Sequence, residues 1–90
     1  MNDGEEFLEL LAYVKASEHR TNIIKFLDYG LKTPKEIGVE LNIRTNHTSN
    51  LLADLRKKGL VFCATPNVHK GRLYKLTDVG YKITEHLDDE

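Results

Sequence analysis

Residues 33–58 read TPKEIGVELNIRTNHTSNLLADLRKK. The stretch opens on the sharpest local signal in the chain. Thr33 is placed to cap a helix, and Pro34 takes the first helical position, where its missing N–H costs no hydrogen bond. Glu36 stands at the third position and completes a capping box. The helix so opened carries Ile37, Val39 and Leu41 and is expected to end near Leu41. Asn42-Ile43-Arg44 is then a tight connection, because asparagine tolerates left-handed backbone geometry and Ile43 can fold back into the core. Thr45 or Asn46 caps a second helix that turns Thr48, Leu51, Leu52 and Leu55 inward. Lys57 and Lys58 suit its negative C-terminal end, and Gly59 stops it.

The flanking segments fit around this pair. Upstream, Phe7, Leu8, Leu10, Leu11 and Val14 recur at helical spacing, with Glu5, Glu6 and Glu9 near the start. Ser17 reads as the cap of another helix, whose buried face is Ile23, Ile24, Phe26 and Leu27 and whose stop is Gly30. These predict helices over roughly 5–16 and 18–29, either separate or continuous with a bend near Ser17, and a very short strand at Leu31-Lys32. Downstream, the apolar run Leu60–Ala64 and the run Leu73–Thr77 flank the turn-rich segment Thr65–Arg72, which predicts a β-hairpin over 60–77. Thr77 caps a last helix over 78–88 carrying Val79, Tyr81, Ile83 and Leu87. Two helices joined by a tight turn and followed at once by a hairpin form a helix-turn-helix (33–58) with a wing. The expected class is α+β, mostly α, in a single domain over 1–90.

Ninety residues bury only about 60% of their unfolded surface, so the core is modest and association would help it. A composition of 40% hydrophobic and 30% charged residues argues against disorder. No apolar run approaches the roughly 18 residues of a membrane helix, and the acidic start lacks the apolar core of a secretory signal. A lone cysteine, Cys63, makes no internal disulfide, so a cytoplasmic location is expected. Net charge is −1 but unevenly spread. Residues 32–72 hold eight basic against three acidic side chains, while both ends are acidic. A basic stripe on an otherwise acidic small chain is an electrostatic footprint for a polyanion.

The stretches TPKEIGVELNI, TSNLLADLRKKGLV and GRLYKLTDVG together resemble winged helix-turn-helix transcription regulators of the MarR/ArsR-like kind, particularly compact archaeal ones. The resemblance covers about 33–80, and residues 1–16 carry none of it. It implies binding to duplex DNA as a homodimer, with the second helix of the unit in the major groove and the wing on the backbone or the adjacent minor groove.

The residues support that implication independently. With its leucines inward, helix 45–58 exposes Thr45, Asn46, His47, Ser49 and Asn50, with Ala53 further along. Asparagine can pair bidentately with adenine, while serine, threonine and histidine suit bases or phosphates. These are poor helix formers, so their clustering on an exposed flank sacrifices helix stability where Glu, Lys or Ala would serve better. Asn46 and Asn50 are the leading candidates for base readout. Lys32, Lys35 and Arg44 lie around the helix entries, where phosphates are met. His69, Lys70 and Arg72 surround Gly71 at the wing.

Other chemistries fare worse. His19, His47, His69 and His86 are scattered, with no spacing that predicts a metal centre, and Cys63 reads as a small core residue in an apolar strand. No phosphate-cradling loop, nucleophile elbow or acid/base pair is present, so neither an enzyme nor a cofactor is expected. The apolar faces of the first and last helices predict pairing across a two-fold axis. The alternative is a winged helix used as a protein–protein module. That reading predicts an apolar patch on helix 45–58 and no continuous basic face; a metal- or ligand-responsive repressor is a third possibility.

Overall fold

The computed structural model describes residues 3–87. The order is α1 (Asp3–Lys15), α2 (Glu18–Leu27), α3 (Pro34–Leu41), α4 (Thr45–Lys57), β1 (Val61–Cys63), β2 (Tyr74–Leu76) and α5 (Asp78–Leu87). The last residue of the expected 78–88 helix and the acidic end Asp88-Asp89-Glu90 lie outside the described residues. β1 and β2 form an antiparallel hairpin in the register Val61↔Leu76, Phe62↔Lys75 and Cys63↔Tyr74. The predicted strand at Leu31-Lys32 reduces to a single bridge. Lys32 and Tyr74 exchange backbone bonds of 3.2 and 2.9 Å, which brings the entry of α3 against the root of the wing.

One core gathers side chains from every element. Val14, Ile23, Ile24, Leu27, Ile37, Leu52, Leu55, Leu60, Val61, Leu76, Ile83 and Leu87 are all buried within it. α1 and α2 are separate helices. Ser17 Oγ accepts from Arg20 N at 3.2 Å, and Thr21 Oγ1 donates back to the Val14 carbonyl at 3.0 Å. α2 ends two residues earlier than its periodicity suggests, and Tyr29 beyond it is 82% exposed. Val39 also departs from expectation. It belongs to the apolar set of α3 by composition, yet it is 75% exposed, because Ile37 takes the inward position two residues away. Cys63 is only half-buried: alternation puts it on the same face as buried Val61 and turns Phe62 outward, but Cys63 is the last residue of β1, at the wing end.

The α3–α4 corner is tightly built. Thr33 and Glu36 form the reciprocal capping box at 3.1 and 2.8 Å. Asn42 adopts left-handed geometry (φ 58°), and the Ile43 N–H donates to the Gly38 carbonyl at 2.8 Å. Gly38 is buried where a Cβ would stand 2.6 Å from the Ile43 carbonyl oxygen, so the two helices approach more closely than any side chain allows. Ile43 folds into the core as expected. Among the described residues no helix is long and apolar enough to cross a membrane.

Candidate nucleic-acid interface

α4 is the element whose sequence is least devoted to its own stability. Its N-cap is Arg44, not Thr45 or Asn46, and Arg44 makes no side-chain capping bond. Asn46 instead turns its Oδ1 to the His47 N–H at 2.9 Å. The first turn holds no acid. With Thr45, Asn46 and His47 exposed, the positive end of α4 faces solvent, an arrangement suited to an anion. Thr48 is fully buried and donates its hydroxyl to the Arg44 carbonyl at 3.0 Å, so it is satisfied inside the helix.

At about 100° per residue the exposed side of α4 divides into three strips. Asn46, Asn50 and Ala53 point furthest outward, and all three are exposed. Thr45 and Ser49 lie on the flank toward the wing. His47 lies on the opposite flank, where its ring meets His19 of α2 edge-on, with centroids 5.3 Å apart. His47 is thus directed away from the wing groove.

That groove is the structure's way of joining distant stretches of sequence. One wall is the start of α3 (Thr33, Pro34, Lys35), and another is Thr45 and Ser49 of α4. The third is the wing, with His69, Lys70, Gly71 and Arg72, and Tyr74 at its root. The wing itself is braced. Arg72 Nε donates to the Val68 carbonyl at 2.7 Å, Thr65 Oγ1 accepts from Leu73 N at 2.9 Å, and Gly71 takes φ 67°. Among the described residues Arg72 spends one of its five donors on holding the loop, which leaves the others to bind.

Among the sequence candidates, Lys35, Thr45, Ser49, His69, Lys70 and Arg72 meet in this groove, and Asn46 and Asn50 stand on the ridge beside it. Arg44 is exposed at the entry of α4. Lys32 is not part of the cluster: its side chain is half-buried with its ammonium 5.2 Å from the Phe26 ring centre, in a separate depression with Val39 and Glu40. The basic excess of residues 32–72 is likewise not spent on one face, because Lys58 sits over the ring of Tyr13 on α1. The candidate set lacked Thr33, Pro34 and Tyr74. Thr33 and Pro34 were visible as the opening of α3, and the short extended segment ending at Lys32 was the sign that β2, and with it Tyr74, lies alongside.

The fold is a winged helix. It is similar to a solved MarR family transcription regulator (22% identity, TM-score 0.72, covering 80% of this chain and 49% of that one). It is also similar to HlyU from Vibrio cholerae (22%, TM-score 0.77, 98% and 91%) and to MepR from S. aureus, solved as a DNA complex (18%, TM-score 0.75, 96% and 73%). The chain spans about half the length of the first of these. No family sequence model and no curated protein matches the chain.

Proposed function

We propose that this chain is a sequence-specific duplex-DNA-binding transcription regulator, with no catalytic activity, working in the cytoplasm. α4 enters the major groove with Asn46 and Asn50 toward base edges, and the wing lies on the backbone or in the neighbouring minor groove. The observation that carries this reading is the union of an exposed amide-and-hydroxyl ridge with a basic groove built from three separate stretches of chain. No large hydrophobic residue of α4 is among the exposed ones, which disfavours a protein-docking use of this helix. The likeness to winged helices solved as regulators, one of them on DNA, agrees with the reading.

The chain acts as a homodimer in this proposal. α1 and α5 leave a shallow groove in which Phe7, Leu10 and Val79 are flanked by Glu6, Lys82, Glu85 and His86, and Leu8 of α1 is 63% exposed. A second copy would cover that surface and space two α4 helices along the duplex. A gel shift on the DNA upstream of its own gene, run at two salt concentrations, tests the function. Retarded complexes whose affinity falls steeply with salt are expected, because phosphate contacts release counterions. Absence of any complex at low salt overturns it. Lys70→Ala is expected to weaken all sequences alike and to lower the salt slope by about one. Sedimentation equilibrium tests the dimer.

A further inference from the structure

Tyr13 lies on α1 and does not line the groove, yet it is the meeting point of three helices. The Arg20 guanidinium of α2 stands 3.9 Å from its ring centre, and the same side chain donates through Nη1 to the Tyr13 carbonyl at 2.7 Å. The Lys58 ammonium, from the residue that caps the C-terminal end of α4, stands 5.0 Å from the same ring. Two cations thus share one half-buried aromatic ring. Ring quadrupoles attract cations at such distances, and Arg20 is also pinned by its hydrogen bond. Position alone would give Lys58 the task of balancing the dipole of α4. The structure adds a specific partner on another helix.

α4 is therefore held at both ends by different means. At its start the Gly38–Ile43 corner locks it to α3. At its finish the chain turns through Gly59 (φ 76°), and Lys58 reaches across to Tyr13. Leu52 and Leu55 seat the middle of α4 in the core, and the Lys58–Tyr13 contact adds a hold on its exposed last turn. α1, which carries Tyr13, is also the helix whose outer face the proposed second copy would cover.

We propose that Tyr13 is a positioning residue for α4: its ring, engaged by Arg20 and Lys58, ties the C-terminal end of α4 to α1 and so aims the Asn46/Asn50 ridge. The clamp itself stands on geometry, and its consequence for DNA rests on the reading of α4 as the base-reading helix. Placing α1 and the end of α4 on one clamp makes the orientation of α4 dependent on the packing of α1. Removal of the ring should loosen the last turn of α4 without unfolding the domain, since Tyr13 lies at the periphery of the core.

Two measurements on the full chain separate the clamp from its consequence. Amide hydrogen exchange needs no DNA. In Tyr13→Leu and in Lys58→Met, the amides of Lys58, Gly59 and Leu60 should exchange roughly two- to fivefold faster, the weight of one partly exposed cation–π contact. Tyr13→Phe, which keeps the ring, should match the parent. Exchange unchanged in Tyr13→Leu, or equally raised in Tyr13→Phe, overturns the clamp. The second measurement is a double-mutant cycle on DNA affinity. Each single variant should bind a specific duplex roughly two- to fivefold more weakly, and the double variant no more weakly than either. Additive losses would mean that Lys58 touches phosphate on its own account, and the aiming role would fall while the clamp stood. A parent chain that binds no DNA would overturn the consequence and leave the exchange result to decide the clamp.

Discussion

The two helices of the helix-turn-helix are adjacent, nearly matched in burial, and opposite in design. α3 has every device that makes a helix stable. It has a reciprocal capping box, proline at its first position, a left-handed asparagine at its end and a buried glycine where its neighbour crosses. α4 has a long buried face but no side-chain cap, no acid in its first turn and a first half made of Thr, Asn, His, Thr, Ser and Asn. Intrinsic propensity opposes such a run by several tenths of a kcal/mol per residue. Packing of Leu52 and Leu55, with the satisfied hydroxyl of Thr48, supplies what propensity does not. One helix is therefore specified by local chemistry and the other by its neighbours. The residues that local stability would replace in α4 are the ones the proposed function needs.

Substitutions should separate these two designs, and the largest effect belongs to α3. Gly38→Ala sets a Cβ 2.6 Å from the Ile43 carbonyl oxygen and 3.3 Å from Thr48 Oγ1. Neither backbone nor a buried side chain can give way cheaply, so a loss of about 1–3 kcal/mol is expected. Thermal or urea unfolding measures it, and a melting curve like the parent's would mean the corner is looser than drawn. Replacing both Asn46 and Asn50 by Ala should leave the fold intact. It should also remove about 1–3 kcal/mol of discrimination for each base pair that an asparagine reads. Competition gel shifts between a selected and a scrambled duplex measure that difference; unchanged discrimination would remove α4 from the base-reading role. Thr33→Ala opens the capping box at the start of α3. A loss of about 1 kcal/mol is expected, which for a domain of this size lowers the melting temperature by roughly 4–8 °C.

How much of this was legible beforehand follows the same division. The boundaries of α3 could be read residue by residue, because its caps act within three positions of sequence. The inward set of α4 was equally readable from its periodicity. Val39 was misread because an eight-residue helix has too few turns for periodicity to tell an inward position from its neighbour. The start of α4 was assigned to a capping side chain because Thr and Asn usually serve there; the structure shows a helix started by packing instead. The groove was only half legible. Its basic residues stood out by type, but nothing in the order of residues says that the wing folds against the entry of α3. That juxtaposition comes from the Lys32–Tyr74 bridge. Nor does sequence spacing show that Lys32 and Lys58 each lie over an aromatic ring, Phe26 and Tyr13, rather than on the basic face.

The smallest expected effect tests the comparison most directly, because its sign matters more than its size. Asn50 is exposed in the middle of α4, its side chain makes no hydrogen bond among the described residues, and alanine fits a helix interior better than asparagine does. Asn50→Ala alone should therefore raise the unfolding free energy by about half a kcal/mol, while weakening the preference for a selected duplex. A residue kept only as solvated surface would show the first effect without the second. A residue that supports the fold would show a loss of stability. Only a side chain held in place for what it contacts outside the molecule gives a gain in stability together with a loss in discrimination. Paired chemical-denaturation and competition-binding measurements on this one variant distinguish the three.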